Sequence, residues 1–477
     1  MRRSRAIVLA ALATACGGTT TTLPPRGQVL LFIDTDAPLP DLSSKAGVLA
    51  PLPLFDHLRI DVYACADEAR CKPITRDFAV DSALLRSPDG LSFGVAAGAP
   101  GDTPLVRARL FLGTVTEGEE PPPDVTIDVT AMMPPVAAEG IVEATLFLPT
   151  DHVGDPTSDL ANPVATTTGR PSPTAVGTWP LARRVDCDVT PSDGEVCVPG
   201  GAFWMGSALL KGFRVWQDPA SDARRLVALS PFYVDAHEVT VAEYRASKLS
   251  VAFPWSGSTD GTTKTDWCTF TRTPGPHEDR PINCVTRATA QAFCRSSGKE
   301  FPTEAQFEYL AGNLAGQLWP WGADPASCTD AVVGRAYGSI DPTDPFPSSA
   351  CRGKAAVDGP QDVGAIPRDA VDVPGEHGGK VFDLVGNVSE YMRDVWQFRS
   401  DECWARRGLY VDPFCGELGT TLPAATVLKG GNYWWVPALS FAQMRFPAAV
   451  GYEADPLFGF RCVRSAVARK LPASGVH

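Results

Sequence analysis

Thirteen cysteines and six histidines carry the most reactive side chains of this 477-residue chain. Thiols at suitable spacing bind metals, act as redox centres or close disulfides. Zinc sites favour cysteines two residues apart. No such pair occurs here, and His57, His152, His237, His277, His377 and His477 are scattered, so a structural zinc site is not expected. Proximity along the chain instead suggests the disulfides Cys65–Cys71, Cys187–Cys197, Cys268–Cys284, Cys328–Cys351 and Cys403–Cys415, which leaves Cys294 and Cys462 for each other. Cys16 stands outside this scheme, and without it twelve cysteines remain, an even number.

Cys16 has its own context. A basic start, Met1-Arg-Arg-Ser-Arg5, leads into the apolar Ala6-Ile-Val-Leu-Ala-Ala-Leu12 and then the small residues Ala13-Thr-Ala15 before the cysteine. That is the layout of a signal peptide over residues 1–15, and the cysteine after it resembles a bacterial lipobox, in which cleavage precedes acylation of the new N-terminus. A plain secretory peptide cleaved near Ala15 is the alternative. On either reading the mature protein is exported. The expected place is a bacterial cell envelope, lipid-anchored at the outer membrane, with secretion or the periplasm as the alternative. No later segment reaches the roughly 18 apolar residues of a membrane span, so the membrane is a partner through the anchor alone. Forty-two basic residues against 55 acidic ones give a net charge of −13, and no run of five basic residues occurs, so nucleic acid is not an expected partner.

The length calls for two domains. Residues 16–26 are mostly Gly, Thr and Pro and read as a tether. Residues 27–153 hold short β-branched or alternating runs such as Gln28-Val-Leu-Leu-Phe-Ile-Asp and Leu105-Val-Arg-Ala-Arg-Leu-Phe-Leu, separated by Ser87-Pro-Asp-Gly90 and Glu120-Pro-Pro-Pro123. This is the texture of an all-β sandwich. Residues 154–194, rich in Pro and Thr, read as a linker. From 195 to 467 the chain turns Gly- and Trp-rich with a few short helices, and 468–477 is a tail. Thr303 as N-cap with Gln306 three residues on forms a capping box, and Gly312 stops that helix after about two turns. Thr286 to Ser297 forms a second short helix carrying Cys294. A bridge from it to Cys462 would constrain the unfolded chain by about 4–5 kcal/mol.

Eight motifs then occur in order: Val198-Pro-Gly-Gly-Ala-Phe-Trp-Met-Gly206, Pro231-Phe-Tyr-Val-Asp-Ala-His-Glu-Val-Thr240 with Tyr244, Arg280-Pro-Ile-Asn-Cys-Val285, Phe301-Pro-Thr-Glu-Ala-Gln-Phe-Glu-Tyr309, Trp319-Pro-Trp-Gly322, Phe382-Asp-Leu-Val-Gly-Asn-Val-Ser-Glu390, Lys429-Gly-Gly-Asn-Tyr433 and Gly459-Phe-Arg-Cys-Val-Arg464. Together they resemble the formylglycine-generating enzyme family, also called sulfatase-modifying factors. The resemblance implies an α+β class overall: a C-terminal C-type-lectin-like fold with little regular structure, supported by calcium, after the all-β sandwich. It also implies the Cys294–Cys462 disulfide. In the active family two cysteines beyond Lys-Gly-Gly bind copper(I) and activate oxygen to oxidise a substrate cysteine; thiolates serve because they are soft ligands. The matching positions here hold Trp435 and Ser440, which cannot bind Cu(I), so copper is not an expected cofactor. Cys403 and Cys415, before Lys429, could replace them, but an exported pair so close reads as a disulfide.

For calcium, the resemblance points to the carbonyls of Val385, Gly386 and Val388 with the Glu390 carboxylate, hard oxygen ligands that suit Ca²⁺. The bland alternative for Glu390 is a hydrogen-bonded acid without metal. Asp330 and Ala331 correspond to part of the family's first calcium site. The sequon Asn387-Val-Ser389 and the triplet Gly378-Gly-Lys380 read as incidental. If Tyr433, Trp435 and Arg445 line the old cleft, with Trp434, Trp396, Phe398 and Arg461 nearby, they form a ledge for a peptide, glycan or protein. The alternative is that the aromatics fill the core. The expected function is a non-catalytic, calcium-stabilised binding or scaffold lipoprotein; the competing reading is an oxidoreductase of the family acting on protein cysteine through a changed site.

Overall fold

The computed structural model describes residues 27–41, 49–63, 72–96, 100–113, 119–155, 159–171, 174–207, 224–249, 268–335, 350–351, 359–398, 400–416, 425–449 and 454–466. Cys16, the signal peptide and tether, the pair Cys65 and Cys71, and the tail lie outside them. The chain divides into two compact units, residues 1–182 with 407–409, and residues 183–406 with 410–477. The fold is sheet-rich with few helices. Among the described residues no helix is long and apolar enough to cross a membrane.

The first unit holds β1 (Gln28–Thr35), β2 (His57–Tyr63), β3 (Ile74–Ala79), the short helix α1 (Ser82–Arg86), β4 (Leu91–Val95), β5 (Leu105–Phe111), β6 (Ile127–Met132), β7 (Ile141–Leu148), β8 (Val164–Ala165) and β9 (Thr167–Thr168). They form two sheets, in the orders β4-β1-β7-β9 and β3-β2-β5-β6-β8. Alternation explains the strands: Leu58, Ile60 and Val62 of β2 turn to the apolar side, and Arg59 and Asp61 to the other. The stretch 154–194 corrects the linker expectation. β8 pairs with β6 and β9 with β7, and Trp179 and Leu181 are buried. Its Pro/Thr-rich composition conceals those apolar anchors, and the boundary between the units falls inside it.

The second unit holds β10 (Glu195–Val198), β11 (Gly201–Met205), β12 (Arg225–Leu229), β13 (Phe232–Asp235), α2 (Val241–Ala246), α3 (Arg287–Ser296), α4 (Glu304–Ala311), β14 (Ala370–Val373), β15 (Gly379–Phe382), β16 (Ser389–Val395), α5 (Glu402–Ala405), β17 (Leu409–Val411), β18 (Ala425–Lys429), β19 (Arg445–Ala449), β20 (Phe458–Gly459) and β21 (Val463–Ser465). Its small sheets run β10-β13-β21, β11-β12-β17, β14-β15 and β19-β18-β16-β20. Capping sets the helices: Thr303 with Gln306 closes a capping box on α4, which ends at Gly312, Thr240 with Glu243 does the same for α2, and Thr286 caps α3. Five disulfides, Cys187–Cys197, Cys268–Cys284, Cys294–Cys462, Cys328–Cys351 and Cys403–Cys415, staple this unit. The Cys403–Cys415 bond removes both thiols as replacement copper ligands.

Candidate functional site

Two loops meet at the four-stranded sheet. The first follows β18. Lys429 closes that strand opposite Arg445 of β19 and Glu390 of β16. Helix α4 presents Glu304 and Glu308 four residues apart, on one face. Arg445 Nε lies 2.7 Å from Glu304 Oε1, and Lys429 Nζ donates to Glu308 Oε2 at 2.8 Å, all four side chains fully buried. Helix and sheet are thereby locked in register. Gly431 must be glycine: a Cβ there would meet the Val385 carbonyl oxygen at 2.2 Å and Ser440 Oγ at 2.4 Å. Asn432 Oδ1 then accepts from the amides of Trp434 and Trp435, turning the chain back.

Trp435 is half-buried. Its ring packs against Phe446, centroids 4.5 Å apart, and bridges two apolar clusters, one around Phe301 and Phe460 and one around Trp319 and Phe441. Ser440 is fully buried; its hydroxyl donates to the Val436 carbonyl at 3.3 Å and its carbonyl accepts from Trp319 Nε1 at 2.6 Å. Both positions are built into the packing. Tyr433 is buried, its hydroxyl donating to the Pro456 carbonyl at 3.3 Å and its phenol pushed well up by burial and by Asp455.

The second loop runs from Asp383 to Glu390. Asp383 and Asn387 bracket it with positive φ, +55° and +64°, a left-handed conformation that non-glycine residues adopt at a cost. A Cβ at Gly386 would meet the Val332 amide at 2.7 Å. Around this loop Glu238, Asp369, Asp383 and Glu390 are all buried. Glu238 accepts from the Val388 amide at 3.0 Å and from Asn387 Nδ2 at 2.7 Å. Glu390 takes Arg461 through both oxygens, at 2.7–2.9 Å. Asp383 Oδ2 accepts from the Gly364 amide at 2.6 Å, but its Oδ1 is buried without a hydrogen-bond partner. Burial raises all four carboxyls, Asp369 to about 8 and Asp383 to about 6, and repulsion from neighbouring acids adds to each.

An excess of buried carboxylate with an orphaned oxygen fits a divalent cation. Among the described residues no trio of these carboxylates converges within 4.8 Å. A cation here would therefore take one or two of them together with main-chain carbonyls, the mixed oxygen set that calcium accepts. The trio that does converge, Asp186 with Cys187 and Cys197, has its thiols joined in a disulfide and offers no thiolates.

The family description "Sulfatase-modifying factor enzyme 1-like domain" matches residues 183–466, more than half of the chain. The chain belongs to this family. It is 27% identical over 324 residues to the formylglycine-generating enzyme of Bos taurus, covering 60% of this chain and 77% of that enzyme. It is 28% identical over 247 residues to the inactive C-alpha-formylglycine-generating enzyme 2 of Bos taurus, covering 45% of this chain and 74% of that protein. Among solved structures, PvdO from Pseudomonas aeruginosa aligns with 57% of this chain and 94% of its own at 20% identity and a TM-score of 0.38.

Within this formylglycine-generating-enzyme-family domain, the structure separates the expected site residues. Val385, Gly386, Val388 and Glu390 stand together on the second loop. Of the expected ledge, Trp435 keeps an exposed part, whereas Tyr433 and Arg445 are fully buried, which corrects their reading as ligand contacts. The Arg445 guanidinium also lies 4.1 Å above the buried Trp396 ring, so its charge is spent within the core. Asp330 has both oxygens engaged, one by Arg368 Nη1 at 3.0 Å and one by the Ser327 amide at 2.8 Å. Asn387 is buried, its side chain held by Glu238 and Gln361, so the sequon is closed to modification in the folded chain. Glu238 and Asp383 were missed by sequence reasoning; the available signal was that each is an acid inside one of the eight motifs, flanked on its C-terminal side by an apolar residue.

Proposed function

We propose that the protein is an exported, lipid-anchored binding or scaffold module whose formylglycine-generating-enzyme-like domain is non-catalytic and stabilised by calcium. One observation carries the loss of catalysis: an indole and a buried hydroxyl occupy the positions of the copper cysteines, and neither is a soft ligand. The similarity to a relative named inactive is compatible with this reading. Calcium is supported by the buried acid excess and the orphaned Asp383 oxygen; Asp383, with Glu390 or Glu238 beside it and the Gly386 and Val388 carbonyls, supplies the proposed donors. The lipid anchor on Cys16 and the bacterial cell envelope follow from the N-terminal sequence. An all-β sandwich for the first unit and a C-type-lectin-like arrangement for the second complete the proposal. The exposed part of Trp435 is the proposed contact for a peptide, glycan or protein.

The test is mass spectrometry of a Cys-x-Pro-x-Arg peptide incubated with the mature chain, copper and oxygen. No conversion is expected. Formylglycine in the peptide would replace this reading with an oxidoreductase whose site other residues rebuilt.

A further inference from the structure

Asp369 stands behind the second loop, and neither the motifs nor the calcium donor set uses it. It is fully buried, just before β14. Its carbonyl oxygen accepts from the Asp383 amide at 2.8 Å, and its Oδ1 accepts from the amides of Leu384 and Val385, each at 3.0 Å. Three consecutive amides therefore point to one residue. In a trans peptide the N–H and the preceding C=O point to opposite sides. The carbonyls of Phe382 and Asp383 must then face away from Asp369, and both accept from Arg461 Nη2, at 2.9 and 3.0 Å. The same guanidinium holds Glu390. Asp369 on one side and Arg461 on the other thus fix the peptide planes that give Asp383 its left-handed φ and leave its Oδ1 unpartnered.

A purely structural role would ask only for neutral acceptors. A carboxylate in full burial is costly unless positive charge arrives nearby, and among the described residues the guanidinium at this loop is bonded to Glu390 and to carbonyls, while Asp369 itself is hydrogen-bonded to amides. We infer that Asp369 is the positioning residue of the cation loop: it orients peptides 383–385 so that the Asp383 carboxylate and the Gly386 and Val388 carbonyls can serve one divalent cation. The inference rests on the calcium reading above.

The experiment is calorimetric titration of calcium into the full chain, purified in detergent and freed of metal with EDTA, as wild type, Asp369→Asn and Asp372→Asn. Asp372 is a suitable control because it lies three residues away with an 84% exposed side chain. Removal of a residue that supports metal ligands weakens binding by about 10–100-fold, which is the loss expected for Asp369→Asn. Asp372→Asn should change affinity by less than about twofold, as expected of a screened surface charge. Melting in EDTA separates positioning from general stability: the Asn variant keeps the shape and loses buried repulsion, so its metal-free melting temperature should not fall. Should Asp369→Asn fail to melt cooperatively, Asp369→Ser, which keeps one neutral oxygen, takes its place. If wild type binds calcium and the Asp369 variant binds it equally well, the positioning role is overturned and the calcium reading stands. If wild type takes no calcium, the calcium reading itself fails and this inference with it.

Discussion

Two regions of the molecule bury charge in opposite ways. On the first unit's five-stranded sheet, Arg59 takes Asp77 through Nε and Nη2 at 2.6 and 2.8 Å, Arg107 takes Asp128, and Arg109 takes both Asp61 and Glu120. The register places Arg59 opposite Asp77, while Arg109 reaches Asp61 and Arg107 reaches Asp128 one diagonal step across, so each arginine finds a carboxylate on a neighbouring strand. The bond to Arg59 holds the Asp77 carboxyl below the usual carboxylate range. Around the second unit's Asp383 loop, four buried carboxylates face one guanidinium, and each carboxyl is pushed up. Matched buried charge is structural, whereas the unmatched charge of this loop is what supports the calcium proposed above.

The hardest blow to this contrast is Arg461→Met, which would leave Glu390 buried without its cation. Breaking one partner of a buried pair costs about 3–5 kcal/mol, to be read by denaturant unfolding of the second unit. A loss well under 1 kcal/mol would mean that the acid group is already neutral without its arginine.

Next comes pH. Asp394 is buried, accepts from the amides of Glu304 and Cys415, and is raised to about 6, first by burial and then by Glu304. Its folded value lies above its unfolded one, so the stability it contributes is full below about pH 4 and is lost as pH rises through 6. The shift corresponds to up to about 3 kcal/mol at 1.36 kcal/mol per unit. Asp394→Asn should flatten the stability profile between pH 4 and 6; an unchanged profile would assign that dependence elsewhere.

Calcium sharpens the comparison directly. At a hundred times its dissociation constant a folded-state ligand stabilises by about 2.7 kcal/mol, and the account places that gain in the second unit alone. Differential scanning calorimetry with calcium and with chelator should move one transition and leave the other. The smallest effect belongs to Arg107→Gln on the first unit's sheet, where the partly exposed pair with Asp128 is expected to contribute no more than about 1 kcal/mol in a urea melt.

Much of this arrangement could be read from local sequence, because local chemistry produced it. Thr303 with Gln306 and Thr286 cap their helices, near cysteines pair, and the absence of thiols at Trp435 and Ser440 needs no coordinates. What escaped was long-range. Tyr433 and Arg445 look the same in a core as on a ledge, and only their partners, Pro456 for Tyr433 and Glu304, 141 residues away, for Arg445, show which they are. Glu238 and Asp383 sit in irregular segments, where no periodicity flags a buried acid. The stretch 154–194 has a tether's composition, yet Trp179 and two short strand pairings tie its part up to residue 182 into the first unit.

The most direct test of the central claim, that the family's frame persists here without its reactive pair, is a Cu(I) titration of the metal-free chain, its disulfides intact, against a competing chromogenic chelator. The account predicts that the natural chain leaves the copper with the chelator, while Trp435→Cys with Ser440→Cys withdraws it. Tight, stoichiometric capture of Cu(I) by the natural chain would contradict it.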